Sequence, residues 1–395
     1  MEKYYSSYAK QLQKRKGKPW QAVLRYKDAE GKAKTTSKML PNVKGKREAY
    51  RLAEEWRKEM NEQAALAPDF DKEKTVGDVI LDYLDYQLRC GEIEPSSYKI
   101  EKYAYNGCIK QYIGDISFVS LDRNAINIWL TKLNARGLSQ SSIGTAYYTV
   151  RKTYDYFFRI EELTRNPFAG IKPPKKQRGK ITHLNEEQMA QFIDLARKQP
   201  WQQRIAFELA FYAGLRRGEI CGLRWRDINF TTGTLSVESA VSEGIGGTYT
   251  KQPKNNPSIR SFPLVEQLLE ELKIYYNIIE PQQNWFVVGK EVKYYRPAAL
   301  SEDFKRFVEK YKLVDVYGNH LTLHMLRHNL GTVGINSGMD IASLSRMFGH
   351  ASRAMTLDTY GDASKDAMIL ASAKLSNQFK GKNEKEVKNP SEDKK

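Results

Sequence analysis

The segment "LTLHMLRHNLGT" combines histidine and arginine with helix-forming apolar residues, a mixture suited to binding and acting on an anion. His324 and Arg327 are three positions apart, so a helix would place them on one face. Met325, Leu326 and Leu330 can meanwhile face a core. We interpret the nearby His328 as structural, because a lone histidine more often fills a structural than a catalytic position.

Two upstream segments add further cations. In "YAGLRRGEICGLRWRDI", Arg216 precedes Glu219 by three positions. That spacing is about one helical turn, so the carboxylate could hold the guanidinium group. The segment "KQPKNNPSIRSFPL" predicts a strand, a tight polar turn and a second strand, and a hairpin of this kind could deliver Lys254 into a groove. Lys251 is a competing candidate for the same role.

A fourth segment, "FGHASRAMTLDTYGD", supplies a tyrosine. His350 follows Gly349 at the predicted end of a helix, and Tyr360 comes ten residues later in a short polar stretch. The chain has 24 tyrosines, so the tyrosine itself is not distinctive. What singles out Tyr360 is its position after the glycine–histidine pair.

Together these side chains are the types needed to break a DNA phosphodiester bond. Two arginines can clamp the equatorial oxygens of the pentacoordinate transition state, which carries extra negative charge. A tyrosine can attack phosphorus and become a covalent phosphotyrosine. A lysine can protonate the departing 5′ oxygen, and a histidine can shuttle the tyrosine proton. Because the phosphotyrosine keeps the bond energy, neither ATP nor a metal ion is required, and we expect no cofactor.

Composition agrees with a polyanionic partner. The 395-residue chain has a formal net charge of +17 and a pI of about 9.4, which favours nucleic acid. Residues 1–65 hold 17 Lys/Arg against 8 Asp/Glu, a net of +9, so more than half of the excess lies in one sixth of the chain. A basic surface that serves only solubility would not be concentrated in this way.

Cysteine usage and hydropathy indicate the compartment. Cys90, Cys108 and Cys221 are scattered and odd in number, which argues for a reducing cytoplasm and against a zinc site or a disulfide framework. No run of about 18 apolar residues predicts a membrane span, and the N-terminus lacks the apolar region of a signal peptide. We expect a cytoplasmic protein.

The length predicts two or three domains, and the first is a small basic sheet backed by one helix. Residues 19–40 indicate two or three short strands, and residues 45–62 indicate a helix. The strands would present candidate DNA contacts. These are Arg25, Lys27, Lys34 and Lys38. A solvated basic hairpin is the alternative interpretation.

The second module is all-helical, with four or five helices. Thr75 and Asp78 predict a capping box at its start, and its last helix ends before Pro167. A proline-stiffened basic strap, "KPPKKQRGK", then marks a boundary, with Lys175 and Lys176 as candidate phosphate contacts. A plain exposed linker would explain the strap equally well.

The third module begins with a helix capped by Asn185 and Gln188. It continues through a strand-rich insert and resumes as helices to about residue 379. Residues 380–395 have few apolar side chains and are predicted to be disordered. The expected fold class is therefore multidomain and mainly α, with a small N-terminal sheet-plus-helix domain and a small sheet inserted in the last domain.

These motifs, in this order, resemble those of the tyrosine recombinases, the phage and conjugative-transposon integrases. The family pattern is Arg-x-x-Glu, a hairpin Lys, His-x-x-Arg, Gly-His and a Tyr about ten residues on. Lys254 lies six residues before Arg260, similar to the family's Lys-Thr-x-x-Ser-x-Arg run, with Asn255 in place of Thr. Asn329, Gly331 and Phe348 depart from the usual Thr, Ala and Leu.

The resemblance implies a set of roles, domains and partners. Arg216, Lys254, His324, Arg327, His350 and Tyr360 would be catalytic, with Glu219 supporting them. Residues 1–66 would be an arm-type DNA-binding domain, 75–170 a helical core-binding domain, 171–181 a basic linker and 182–379 the catalytic domain. Partners would be double-stranded DNA with core-type and arm-type attachment sites, and a homotetramer on that DNA. An excision factor and a DNA-bending host protein would be further partners.

Three other interpretations compete with a recombinase that integrates and excises a mobile element. A type IB topoisomerase-like enzyme shares the chemistry but has no need of a second specific DNA site, which disfavours it given the basic N-terminal module. A non-catalytic DNA-binding protein would be expected to have lost at least one of the six groups. A metal-dependent nuclease would need clustered carboxylates, which the sequence does not show.

Overall fold

The computed structural model describes residues 4–13, 19–27, 32–66, 70–175, 183–251 and 259–350, with residues 352, 354, 356, 357 and 372. The chain divides into two compact units, Met1–Arg178 and Gly179–Lys395. The division falls within the segment that the sequence predicts as a linker. Lys176, Lys254, Tyr360 and the predicted disordered tail lie outside the described residues.

The first unit opens with a three-stranded antiparallel sheet in the order β1-β2-β3. Its strands are β1 (Tyr4–Gln11), β2 (Trp20–Lys27) and β3 (Ala33–Leu40). Helix α1 (Lys46–Leu66) covers one face. Two of the strands are those predicted within residues 19–40, whereas the sequence analysis did not anticipate β1.

Small residues bring α1 close to the sheet. Ala9 and Ala22 from the strands meet Ala49 and Ala53 from the helix, and all four are buried. Leu40 completes this small core. Because the module buries so few large side chains, its stability depends on close helix–sheet packing.

The rest of the first unit is helical, as predicted. Its elements are α2 (Val76–Arg89), α3 (Pro95–Ala104), a π-helical segment (Tyr105–Gly114), a 3₁₀ turn (Phe118–Ser120), α4 (Arg123–Ala135) and α5 (Gln140–Arg159). The predicted capping box is confirmed: the Asp78 backbone N–H donates to the Thr75 hydroxyl at 3.2 Å, and the Thr75 N–H donates to the Asp78 carboxylate. The apolar stripe of α5 is confirmed as core, since Tyr147, Tyr154 and Phe157 are all buried.

Helices dominate the second unit. They are α6 (Glu186–Arg197), α7 (Trp201–Tyr212), α8 (Arg217–Gly222), α9 (Glu266–Ile279), α10 (Pro297–Tyr311), α11 (Leu323–Asn336) and α12 (Ile341–Phe348). The predicted Asn185–Gln188 capping box is present at the start of α6. One large core runs through this unit, and α7 lies within it with Phe207 and Leu209 fully buried.

The strand-rich insert of the second unit forms small antiparallel sheets. Its strands are β4 (Ile228–Asn229), β5 (Thr234–Val237), β6 (Ala240–Gly244), β7 (Gly247–Lys251), β8 (Arg260–Pro263), β9 (Gly289–Lys290) and β10 (Lys293–Tyr294). The sheets have the orders β4-β5-β8, β6-β7 and β10-β9.

The predicted hairpin around Lys254 is wrong in its pairing. β7 pairs with β6, whereas β8 pairs with β5, so the two strands that flank Lys254 belong to different sheets. The physical reason is burial, because pairing β8 with β5 places Leu235 opposite Phe262 and buries both. Glycines at the ends of β6 and β7 meanwhile favour a tight turn between those two strands.

The fold class is confirmed as mainly α with a small N-terminal sheet and a small sheet inserted in the second unit. Among the helices of the described residues, none combines the length and the apolar character needed to cross a bilayer.

Candidate active site

Arg216 and Glu219 lie at the start of α8, where the predicted ion pair forms. Arg216 Nη1 donates to Glu219 Oε1 at 2.8 Å, and the Arg216 backbone N–H donates to Glu219 Oε2 at 2.9 Å. The Glu219 side chain is buried, while that of Arg216 is 39% exposed. The carboxylate therefore holds one side of a guanidinium group that still reaches solvent.

Arg260, at the first position of β8, is the second partner of Glu219. Its Nη1 and Nη2 donate to the two carboxylate oxygens at 3.1 and 2.8 Å. Burial alone would raise the pKa of Glu219, but the hydrogen bonds and charge of Arg260, followed by the charge of Arg216, lower it to about 2. Glu219 is therefore an anion throughout the range in which proteins work.

Arg327, on α11, is almost fully buried, at 2% exposure. Its Nη1 donates to the Gly214 carbonyl oxygen and its Nη2 to the Phe348 carbonyl oxygen, both at 2.6 Å. The guanidinium carbon also lies 4.1 Å from the centre of the Phe348 ring. Arg327 thus ties α11 to the loop before Arg216 and to the end of α12.

Gly214 is required at this junction. Its φ of +60° lies in the left-handed region, which glycine adopts without steric cost. A Cβ atom here would stand 2.9 Å from both Leu330 Cδ2 and Phe348 Cε1. The backbone can therefore approach α11 and α12 closely enough for its carbonyl to meet Arg327.

His350 follows α12, which ends at Gly349 in a left-handed conformation. His350 Nε2 lies 3.2 Å from Arg327 Nη2, and Nδ1 lies 2.7 Å from the Thr356 hydroxyl oxygen. A guanidinium group only donates, so Nε2 accepts and the ring proton is on Nδ1. Burial, then the charges of Arg327, Arg216 and other nearby groups, lower the pKa of His350 to about 4, consistent with a neutral ring.

His324 and His328 pack edge to face on α11, with ring centres 4.6 Å apart. Although His324 is exposed overall, the loss of hydration on its packed side, followed by the charges of Arg327 and Arg216, lowers its pKa. Burial, His324 and Arg327 lower the pKa of His328 to about 4. Burial and the neighbouring charges therefore favour the neutral form of both rings.

The structure thus brings together four of the six predicted catalytic side chains: Arg216, His324, Arg327 and His350. Glu219 lies among them as expected. The other two, Lys254 and Tyr360, lie outside the described residues, and Lys251 ends β7 with its side chain partly buried. The catalytic role of each side chain stays a prediction.

Sequence reasoning missed two members of the cluster. Arg260 was used only to locate Lys254 in the sequence. Its place as the last residue of the family's Lys-Thr-x-x-Ser-x-Arg pattern could have indicated a role of its own. Thr356, fully buried against His350, carried no signal, because nothing in its spacing distinguishes it. In the described part of the chain, no three His, Cys, Asp or Glu side chains are grouped as metal ligands.

The predicted DNA contacts of the N-terminal sheet divide between its two faces. Arg25 and Lys27 lie on the face opposite α1, and both are exposed. Lys34 and Lys38 lie on the other face, where Lys34 pairs with Glu161 and the Lys38 ammonium is 6.0 Å from the Trp56 ring centre. Lys175, in the predicted strap, is exposed.

Strand register identifies further side chains on the face with Arg25 and Lys27. Tyr8 and Lys10 are paired with Val23 and Gln21 of β2, and the Arg25 guanidinium carbon lies 5.1 Å from the Tyr8 ring centre. We call Tyr8, Lys10, Arg25 and Lys27 the basic sheet face. Tyr8 and Lys10 were not predicted as contacts, because the sequence gives no clear signal for β1.

Most of the second unit matches a known protein family. Residues 182–366 match the family model described as the Phage integrase family. The ICEBs1 integrase of Bacillus subtilis (strain 168) is 25% identical over 327 residues, which cover 81% of this chain and 87% of that protein. The tyrosine recombinase XerA of Pyrococcus furiosus is 27% identical over 231 residues, 58% of this chain and 72% of XerA.

Solved structures share the fold. The Tn1549 transposon integrase in complex with transposon right end DNA gives a TM-score of 0.64 at 19% identity, covering 76% of this chain and 99% of that one. A lambda integrase dimer bound to a COC′ core site gives a TM-score of 0.57 at 17% identity, covering 89% of this chain and 94% of that one. A lambda integrase tetramer bound to a Holliday junction gives a TM-score of 0.56 at 18% identity, covering 85% of this chain and 92% of that one.

Proposed function

Residues 182–366 of this chain are a phage integrase family domain, and from that premise we propose that the protein is a tyrosine-type site-specific recombinase. It integrates and excises a mobile element by breaking and rejoining DNA. The ICEBs1 integrase and the tyrosine recombinases, whose names state such an activity, support this proposal.

The observation that carries the proposal is a cluster of two arginines and two histidines. In it, Arg327, His324 and His350 lie near Arg216, whose guanidinium group is held by the Glu219 carboxylate. Guanidinium groups are always charged, and their forked donors match the oxygens of a phosphate. Arg216 is the member that combines a fixed anchor with substantial exposure. It is therefore the group best placed to meet a phosphate from solvent.

The proposed reaction uses these groups with the two side chains outside the described residues. The Tyr360 oxygen attacks phosphorus, and its proton passes to a neutral histidine of the cluster. The bond from phosphorus to the 5′ oxygen breaks, and Lys254 protonates that oxygen. Arg216 meets the phosphate oxygens and stabilises the negative charge of the transition state. Arg327 adds its charge from the buried position in which it holds the carbonyls of Gly214 and Phe348. Attack on the phosphotyrosine by the 5′ hydroxyl of a second DNA strand then releases Tyr360 and exchanges the strands.

We also propose the partners and domain roles that follow from this function. Residues 75–170 and 182–379, joined by the strap at 171–181, would each bind core-type DNA, and residues 1–66 would bind arm-type DNA through the basic sheet face. A homotetramer would assemble on the DNA of two sites, supported by the lambda integrase tetramer on a Holliday junction. An excision factor, a DNA-bending host protein and a location at the nucleoid of a prokaryotic cytoplasm are part of the same proposal.

The direct test is trapping of the covalent intermediate. The full-length protein is incubated with duplexes that carry the ends of its mobile element, nicked at successive positions so that the short strand is lost after cleavage. We expect a protein–DNA adduct that survives denaturing gels in wild type but not in Tyr360→Phe, which should still bind DNA. Intact ends should yield recombinant junctions.

The same reactions distinguish the rivals. A type IB topoisomerase-like enzyme would relax supercoiled DNA through an adduct but yield no recombinant junctions. A non-catalytic DNA-binding protein would bind the ends without any adduct, and that result would overturn the proposal.

A further inference from the structure

Two guanidinium groups hold successive carbonyl oxygens at the C-terminal end of α12. Arg260 Nε donates to the Met347 carbonyl at 2.7 Å, and Arg327 Nη2 donates to the Phe348 carbonyl at 2.6 Å. The last carbonyls of a helix have no partner within the helix, and cations near them are favourable. These two bonds therefore fix the end of the helix from which His350 departs.

Arg260 also binds Glu219, at the start of α8. Its two terminal nitrogens form the fork with Glu219 at 3.1 and 2.8 Å, and Glu219 in turn holds Arg216. All three guanidinium nitrogens of Arg260 are thus engaged. A single side chain connects the start of α8 to the end of α12, two elements that are far apart in sequence.

Burial determines how Arg260 can act. Its side chain is only 5% exposed, whereas that of Arg216 is 39% exposed. A phosphate approaching from solvent could meet Arg216 but not Arg260. Any effect of Arg260 on catalysis must therefore pass through the groups that it holds.

We propose that Arg260 is a positioning residue for DNA cleavage, which sets Arg216 through Glu219 and His350 through the end of α12. This inference rests on the proposed recombinase function. It also explains why arginine is needed, because a lysine ammonium group can replace the charge but not the fork to Glu219 together with the bond to Met347.

The charge state of Glu219 provides a readout that a purely structural role would not change. The charged groups bonded to Glu219 are Arg216 and Arg260. Around them, Arg217 of α8 pairs with Glu243 of β6, Asp303 of α10 is bonded to Tyr295 and Arg306, and Arg327 contacts His350. Cys221 of α8 is fully buried. Arg204 of α7 instead pairs with Glu208 and with Glu271 of α9. Arg260 supplies the strongest of the influences that lower the pKa of Glu219, so its removal should raise that pKa.

The test compares Arg260→Gln and Arg260→Lys with Arg204→Gln. Arg204 is the matched control, because it also forms buried ion pairs, with Glu208 and Glu271, and no bond joins it to the proposed catalytic groups that lie within the described residues. Adduct formation on nicked end duplexes is measured from pH 5 to pH 9 at saturating protein. DNA affinity and melting temperature are measured in parallel.

We expect Arg260→Gln to slow adduct formation ~10- to 100-fold, the range produced by misplacing a catalytic group, while DNA affinity changes less than about three-fold. Protonation of Glu219 should make the loss of rate largest at low pH. The pH at which the rate falls on the acid side of the profile should therefore be higher than in wild type. Arg260→Lys should restore the acid limb but not the full rate. Arg204→Gln should lower the melting temperature without moving the pH profile.

Two results would overturn the inference. In one, Arg260→Gln retains the wild-type rate. In the other, its rate and stability fall together as in Arg204→Gln with an unchanged pH profile, which would make Arg260 only a structural residue. Absence of any adduct in wild type would instead refute the proposed function.

Discussion

Arg216 and Arg327 carry the same charge but occupy different environments. Arg327 is buried and bonded to the carbonyls of Gly214 and Phe348, whereas Arg216 keeps 39% of its side chain exposed. The first arrangement stabilises the geometry of the site and the second can meet a ligand. We therefore expect Arg216 to make the larger direct contribution to binding the scissile phosphate in its transition state.

A substitution at Arg216 tests this expectation. Arg216→Ala should slow adduct formation ~10²-fold or more, the scale seen when one donor to a developing oxyanion is removed. Equilibrium DNA binding should fall much less, because the chain has many other basic residues that could meet the DNA backbone. The control is Arg217→Ala, the adjacent arginine, which is 45% exposed and bonds Ser301 instead. Proportional losses of binding and cleavage in Arg216→Ala would make it an ordinary phosphate contact.

Local spacing explains which parts of the site the sequence could predict. Arg216 and Glu219 meet because residues three apart face each other on a helix, and His324 and Arg327 share a face for the same reason. Arg260 reaches Glu219 across 41 positions of sequence, a contact that depends on how β8 packs. The two carbonyl bonds of Arg327 also depend on tertiary packing, so its deep burial was not foreseen.

At the level of elements, α7 and α9 enclose an unusual pair of carboxylates. Glu208 is fully buried, its Oε2 has no hydrogen-bond partner among the described residues, and Glu271 lies beside it. Burial, followed by the charge of Glu271, raises the pKa of Glu208 to about 7. Folding therefore binds a proton between about pH 4.5 and pH 7, and the stability contributed by that proton is lost as pH rises through 7.

Glu208→Gln should remove this dependence, because glutamine mimics the protonated acid. Relative to wild type, the variant should gain free energy of unfolding as pH rises from 5 to 8, by on the order of 2 kcal/mol. Denaturant unfolding at four pH values would measure the gain. Glu270→Gln, an exposed neighbour on α9, is the control and should show no such trend. A difference between Glu208→Gln and wild type that is constant with pH would refute the raised pKa.

Elements with a clear apolar period or cap were predicted correctly, whereas β1 and the pairing of β8 were not. The stripe of α5 and the capping boxes before α2 and α6 are local signals, and each was confirmed. β1 escaped prediction because "YYSSYAKQ" is largely polar and lacks turn residues that would mark it as a strand. The pairing of β8 with β5 was missed because sequence proximity favours a hairpin, while burial of Phe262 favours the more distant strand.

For the whole molecule, the basic residues concentrated in residues 1–65 are divided between two faces of the N-terminal sheet, a division that follows from the strand register. Arg25 and Lys27 project from the basic sheet face, whereas Lys34 and Lys38 lie on the α1 side. Charge that is concentrated on one accessible face should dominate nonspecific attraction to the DNA backbone. The two pairs of residues therefore provide a matched comparison with equal changes in net charge.

The double variant Arg25→Ala/Lys27→Ala should weaken binding of full-length protein to DNA that spans the element end and its flanks. The slope of log affinity against log salt should fall by about 2, roughly one per lost phosphate contact. Lys34→Ala/Lys38→Ala should change affinity and slope much less. Titrations at several salt concentrations decide between them, and equal effects of the two variants would show that the sheet does not bind DNA through this face.

The most direct measurement of the central claim is to identify the residue that becomes linked to DNA. Wild-type protein is trapped on the nicked end duplexes, digested with protease, and the peptide that retains the nucleotide is sequenced by mass spectrometry. The recombinase mechanism predicts a single modified peptide with the phosphate on Tyr360, joined to the 3′ end of the DNA. A linkage to another tyrosine such as Tyr295, a linkage to the 5′ end, or no linked peptide at all would contradict it.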